Sequence, residues 1–133
     1  VIPTYGTEYS AGADIYAYLE EPITISPGET VLIPTGIAME IPIGYAGLIY
    51  SRSGLATKCG LAPANKVCVI DSDYRGEILI PLHNHSKNPQ TISCKERIAQ
   101  IIFTPYLFGI FEETDHLAET QRGIGGFGST GKF

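Results

Sequence analysis

The chain has 133 residues and a formal net charge of −5, a size that fits one hydrophobic core and buries about two-thirds of the unfolded chain's surface without help from metal or disulfide. The negative charge argues against non-specific binding to a nucleic-acid backbone, and no apolar stretch approaches the length of a membrane span. Three cysteines, Cys59, Cys68 and Cys94, cannot all pair and show no Cys-x-x-Cys spacing, so they read as reduced thiols of a cytosolic-type compartment.

From the N-terminus onward the pattern is β. Nine prolines and fifteen glycines punctuate short runs rich in Ile, Val, Thr and Tyr. Ser10-Ala11-Gly12-Ala13-Asp14 is a small-residue turn that ends in a carboxylate entering a strand. Asp14 is either a turn former or a group that orients a basic residue or the water shell of a metal. Ile23–Ile25 is a strand followed by the turn Pro27-Gly28. Ile37, Met39 and Ile41 alternate with Ala38 and Glu40, the period of a half-buried strand. Pro42-Ile43-Gly44 then turns the chain into Tyr45–Tyr50. Ser51-Arg52-Ser53-Gly54 leads into the one helix the sequence predicts, with Ser53 as N-cap and Gly60 as its end. Arg52 is a surface arginine or part of an anion site at that helix's N-terminus.

Val67–Ile70 and Ile78–Leu82 are apolar arms around Asp71-Ser72-Asp73-Tyr74-Arg75-Gly76, the make-up of a hairpin loop. In a strand Asp71 and Asp73 would face the same side; in a turn they need not. A carboxylate at the end of an apolar strand can serve as a general base for water, whereas a loop-only reading makes both aspartates turn formers. His83 and His85 share a strand face and invite comparison with a metal site, but no third ligand is placed nearby. Ile92 lies in a short strand. Arg97–Tyr106 is the longest apolar run and is too β-branched to favour a helix. Within it Arg97 and Gln100 need partners, which a structural network or a phosphate would supply equally well. Glu112–Glu119 is polar, a short helical turn or a linker.

Residues 122–133, Arg-Gly-Ile-Gly-Gly-Phe-Gly-Ser-Thr-Gly-Lys-Phe, hold five of the fifteen glycines. Such a segment does not keep a fixed shape alone in water. It suits closure over an anion: glycine lets backbone N–H groups approach phosphate oxygens, Ser129 and Thr130 add donors, and Arg122 can pair bidentately. Phe127 can stack on a planar base. The other reading is a plain disordered terminus. With no internal repeat, residues 1–121 form one β domain, and many short strands between regular turns imply a sandwich or jelly roll.

Taken in order and spacing, five segments closely resemble the motifs of the trimeric deoxyuridine triphosphatase (dUTPase) family. Ser10–Asp14 is similar to its first motif, Arg52-Ser53-Gly54 to its second, Ile70–Gly76 to its third, Arg97-Ile98-Ala99-Gln100 to its fourth and Arg122–Gly131 to its fifth. The resemblance implies an all-β, jelly-roll-like (β-clip) subunit with one short helix, assembled as a three-fold homotrimer. The first, second and fourth motifs would line the phosphate side from one subunit, the third would supply the base-binding hairpin from another, and the fifth would close from the third. The reaction implied is hydrolysis of dUTP to dUMP and pyrophosphate by water attack on the α-phosphorus. That reaction keeps uracil out of DNA and supplies dUMP for thymidylate synthesis.

Residue by residue, the resemblance makes Asp71 the carboxylate that activates water and Tyr74 the ring under the deoxyribose, where a ribose 2′-OH would clash. Asn65 and the backbone near Cys68 and Leu79 would read uracil, and Phe127 would stack on it. Arg52, Ser53, Gly54 and Gln100 match phosphate-binding positions; Arg122, Ser129 and Thr130 match the clasp on the γ-phosphate. Asp14, Asp73 and Arg97 are supporting residues. Mg²⁺ is implied, held by the three phosphates and water without a direct protein ligand. The family pattern usually has glycine where Cys68 stands, so its side chain must point away from the base. Ala13 is smaller than the residue often found there. The implied location is cytoplasmic, or nuclear or virion-associated for a eukaryotic or viral source, with neither nucleic acid nor membrane as partner. The related dCTP deaminase shares the implied fold but needs an added acid/base group, for which no candidate stands out. A non-catalytic nucleotide sensor is disfavoured by the intact set of motifs.

Overall fold

A computed structural model describes residues 1–133. Ten short strands alternate with turns, as the proline and glycine spacing predicts: β1 (Thr4–Tyr5), β2 (Ala13–Tyr16), β3 (Ile23–Ile25), β4 (Thr30–Pro34), β5 (Tyr45–Tyr50), β6 (Leu61–Pro63), β7 (Cys68–Ile70), β8 (Leu79–Asn84), β9 (Gln90–Ile92) and β10 (Arg97–Pro105). All pairings are antiparallel. They make a five-stranded sheet in the order β1-β2-β10-β5-β7, a three-stranded sheet β4-β8-β6 and a two-stranded sheet β3-β9. The all-β jelly-roll-like fold is therefore present.

One core joins the three sheets. Period-2 alternation turns Ile80, Leu82 and Asn84 of β8 inward. They meet Ile15, Ile49, Ile98 and Ile101 of the large sheet and Ile25 and Ile92 of the small one, all essentially inaccessible to solvent. Asn84 is the polar exception. Its amide donates to the carbonyls of Ile25 and Asn88 at 2.9 and 2.8 Å, and its Oδ1 accepts from the Ser86 N–H and hydroxyl. With every lone pair and proton used, the desolvation cost of the buried amide is offset by its hydrogen bonds, and the side chain ties β8 to β3.

Three local expectations change. The segment Ile37–Ile41 keeps the expected alternation, with Ile41 buried, Ile37 and Met39 half-buried, and Ala38 and Glu40 exposed, but it joins no ladder. Its backbone tie to the body is the Ile78 N–H bonded to the Ile37 carbonyl at 2.8 Å, and the exposed Glu40 also pairs with Arg75 at 3.9 Å. Hydrophobic period reports burial, and burial does not require a paired neighbour. The expected helix is a single widened turn, Leu55–Cys59, closed as predicted at Gly60 in the left-handed region (φ 67°). Ser53 does not cap it with its side chain; the preceding residue is Gly54, and the Ser53 carbonyl instead accepts from the Thr57 hydroxyl at 2.7 Å. Glu112–Glu119 is an exposed connection without helix.

The third correction matters most for the site. The arms around Asp71–Gly76 do not pair with each other. β7 takes its hydrogen bonds from β5, at the edge of the large sheet, while β8 lies between β4 and β6 in the three-stranded one. Each arm has a stronger claim elsewhere, so the expected hairpin opens into a slot between two sheets. β6 covers β8 only over Leu82–Asn84, which leaves the edge beside Leu79 uncovered.

Candidate active site

The first, second and fourth motifs converge because β2, β10 and β5 are adjacent. Gln100 on β10 stands opposite Asp14 on one side and Tyr50 on the other, and Arg52 follows two residues after Tyr50. A strict two-residue period would put Arg97 and Gln100 on opposite faces. A register shift between Arg97 and Ala99 relieves that conflict. Both then line one hollow of about 390 Å³ with Ser10, Gly12, Asp14, Arg52, Ser53 and Gly54.

Asp14 is the centre of this hollow. It is buried, and its two carboxylate oxygens accept from Arg52 Nε at 2.7 Å and Arg97 Nη1 at 3.3 Å. Arg52 also donates from Nη1 to the Arg97 carbonyl at 3.4 Å. One carboxylate thus orients two guanidiniums, and the cluster keeps a net positive charge with unused N–H donors at the surface of the hollow. Gln100 donates from Nε2 to the Ser51 carbonyl at 2.9 Å. A methyl group at Gly12 would overlap the rest of that amide, so only glycine lets Gln100 lie flat there. Ser53 and Gly54 begin the helical turn, where backbone N–H groups lack intrahelical acceptors. The donor set is cationic and amide, which is the chemistry of anion binding.

Asp14→Asn should therefore weaken the fold before any ligand is considered. It removes the charge that holds two guanidiniums together. Because Arg97 is half exposed, solvent screens part of the effect, and the expected loss is about 1–2 kcal/mol, or roughly 3–8 °C in the thermal midpoint. An unchanged midpoint would show that the pairing is not structural.

The slot between β7 and β8 is a separate pocket of about 260 Å³. Cys68, Val69, Ile70, Ile78 and Leu79 supply mostly apolar walls, with Asp71, Tyr74 and Glu77 at its polar end. Asp71 is exposed directly beyond β7. The chain turns there, with the Tyr74 N–H bonded to the Asp71 carbonyl at 3.2 Å. Asp71 lines the pocket and Asp73 does not. Cys68 is half-buried and packs against the core while contributing to the wall. Asn65 sits in the exposed turn before β7, outside the pocket lining. Glu77 is the member the sequence reading missed. Its partner is forty-one residues upstream, and no local period reports such a contact.

The tail is exposed from Tyr106 to Phe133 except at the half-buried Gly125 and Gly126. Arg122, Ser129 and Thr130 nonetheless face a common polar hollow formed by the tail itself, with Arg122 Nε donating to the Gly125 carbonyl at 2.8 Å. Phe127 is fully exposed at φ 51°. The three hollows have no lining residue in common. A single chain brings the first, second and fourth motifs together and keeps the third and fifth apart from them.

His83 and His85 touch edge to face, with centroids 4.5 Å apart, and His83 Nδ1 bonds the Thr30 hydroxyl at 2.8 Å. No three His, Cys, Asp or Glu side chains converge on one point, and both Asp14 oxygens are already engaged. No helix is long and apolar enough to cross a membrane.

A family profile described as dUTPase matches residues 1–131. A deoxyuridine 5'-triphosphate nucleotidohydrolase from Desulfitobacterium hafniense is 51% identical over 131 residues, covering 98% of this chain and 87% of that protein. One from Rickettsia felis is 51% identical over 130 residues, with 98% and 88% covered. Among solved structures, the Staphylococcus bacteriophage 80alpha dUTPase with dUPNHPP superposes with a TM-score of 0.86 at 27% identity, covering 99% of this chain and 92% of that one. A dUTPase from Streptococcus mutans superposes at 0.75 with 31% identity, over 82% and 88%.

Proposed function

The chain belongs to the dUTPase family, and from that membership we propose the following assignment of its residues to the hydrolysis of dUTP into dUMP and pyrophosphate. The observation that carries it is the gathering of three distant segments around Asp14 into one anion-binding hollow. Arg52, Ser53, Gly54 and Gln100 bind the phosphates there. Asp14 and Arg97 hold Arg52 in place.

The β7–β8 slot takes the nucleoside. Its walls are apolar enough for a pyrimidine ring. The uncovered edge of β8 beside Leu79, together with Cys68, supplies backbone groups to read uracil's edge, and Asn65 approaches from the neighbouring turn. A narrow slot excludes thymine's methyl group by overlap rather than by lost attraction. Tyr74 lies at the end where the sugar sits and excludes a 2′-hydroxyl. Asp71, next to Tyr74, orients water for attack on the α-phosphorus and takes its proton; Asp73 supports the loop. Phosphoryl transfer needs positioning and charge neutralisation more than covalent groups, and this inventory supplies both.

Homotrimer formation follows from the same reading. The phosphate hollow and the nucleoside slot of one chain are separate, so a complete site draws on neighbouring copies. Exposed Tyr106, Leu107, Phe108, Ile110 and Phe111 also form an apolar run that an assembly would cover. Arg122, Ser129 and Thr130 then close as a flap over the γ-phosphate, with Phe127 on the base. With Asp14 engaged by guanidiniums and no side-chain cage elsewhere, the donor set fits Mg²⁺ that arrives on the triphosphate, with Asp14 one shell further out. When bound it neutralises phosphate charge. A cytoplasmic location belongs to the same reading.

The test is pyrophosphate release from dUTP, dTTP, dCTP and UTP in parallel, with and without Mg²⁺. Turnover of dUTP alone, lost on chelation, is the expected result. Equal turnover of dTTP would refute the slot, equal turnover of UTP would refute Tyr74, and none at all would make the protein a nucleotide binder without catalysis.

A further inference from the structure

The loop that carries Asp71 and Tyr74 is closed mainly upon itself; besides the Glu77 link described below, its outside contact is a long, solvent-exposed ion pair from Arg75 Nε to Glu40 at 3.9 Å, worth little when exposed. Arg75 Nη1 donates to the carbonyls of Ser72 and Tyr74 at 2.7 and 3.2 Å, and the Tyr74 N–H donates to Asp71. The Tyr74 phenol folds back over Gly76, where a methyl group would overlap it, and donates to the Glu77 carbonyl at 2.9 Å. The height of the tyrosine ring is thus set by the backbone of Glu77.

Glu77 in turn is tied to a distant part of the chain. Its Oε1 accepts from the Gly36 N–H at 2.8 Å. Gly36 is at φ 67°, a region that favours glycine, and a methyl group added there would crowd the Tyr18 ring. The next residue is held to the same segment twice, by the Thr35 hydroxyl to the Ile78 carbonyl at 2.6 Å and by the Ile78 N–H to the Ile37 carbonyl. Those bonds fix β8 but stop at Ile78. The Glu77 carboxylate extends the attachment one residue toward the loop, to the peptide that receives the tyrosine hydroxyl. Glu77 is also the one residue that lines both the nucleoside slot and the neighbouring groove beside Tyr18.

We propose that Glu77 is a positioning residue for sugar discrimination: through Gly36 it fixes the Tyr74 ring at the distance that excludes a 2′-hydroxyl. The proposal rests on the assignment of Tyr74 given above. A carboxylate bonded to a backbone N–H is among the stronger neutral-to-charged hydrogen bonds. Its loss should free the loop to rise and admit ribose, while leaving Asp71 and the phosphate hollow in place.

The experiment compares kcat/KM for dUTP and UTP in the wild type, Glu77→Ala, Glu77→Gln, Tyr74→Phe and the double variant Glu77→Ala/Tyr74→Phe. Glu77→Ala should reduce the dUTP-to-UTP preference by roughly tenfold, chiefly by raising activity on UTP. Glu77→Gln keeps an acceptor for Gly36 and should restore most of the preference. The double variant should lose little more than either single one, because both remove links of one chain. An unchanged preference in Glu77→Ala, or additive losses in the double variant, would overturn the proposal. A misfolded Glu77→Ala would pass the test to Glu77→Asp, which keeps the charge but falls short of Gly36 and should show the same loss. A wild type that does not separate dUTP from UTP would instead refute the role of Tyr74 itself.

Discussion

Replacing Asp71 by asparagine is expected to lower dUTP turnover by about a thousandfold or more while leaving fold and assembly intact. The reasoning is local. Asp71 lies beyond the last residue of β7, exposed, at the polar end of an otherwise apolar slot. No core contact depends on its charge, and its carbonyl, which closes the turn onto Tyr74, survives the substitution. Asparagine can still hold a water molecule, but it cannot take the proton, and positioned proton transfer is worth about 10²–10⁴ in rate. Steady-state pyrophosphate release beside the sedimentation mass and thermal midpoint checks this directly. Near-normal turnover in an intact assembly would remove Asp71 from the role and leave the slot without its base.

Truncation after Gln121 should have the next largest effect, and of a different kind. Residues 122–133 bury almost nothing against the body of the chain, so the thermal midpoint should stay within about a degree of the full-length value. Turnover should fall by about 10²–10³, because on the proposed assignment water exclusion and the γ-phosphate contacts of Arg122, Ser129 and Thr130 would go together. KM and kcat should both change, since a flap that closes on the bound triphosphate would contribute to both binding and turnover. Full activity in the truncated protein would make the glycine-rich end a passive terminus.

What could be read from the residues, and what could not, divides along sequence distance. Strand positions were legible because Ile and Val periods and Pro-Gly turns are local signals; even Ile37–Ile41, which joins no ladder, buries the side chains its period assigns. The hollow around Asp14 was legible as a set of residue types, but its geometry was not. The register shift that brings Arg97 and Gln100 to one side of β10 arises from how β10 meets β2, and nothing within Arg97–Tyr106 announces it. The same holds for Asp14, whose two guanidinium partners lie 38 and 83 residues away. Ser53 misled because its chemistry suits a cap while its neighbours Arg52 and Gly54 already provide the turn. Asp71–Gly76 misled in the opposite sense. Its composition is that of a tight hairpin, and only competition from β5, β4 and β6 holds the arms apart.

That competition also decides whether the recognition element is portable. A peptide covering residues 67–82, or the same stretch grafted onto another scaffold, would have no outside strands to claim its edges. Its two arms would be free to pair with each other around the Asp71–Gly76 turn or to stay unfolded, and neither state keeps the opening between them. The slot is thus a property of the whole sandwich, as the gap in an arch belongs to its piers, and swapping loops between proteins would carry over the letters of the motif without its opening.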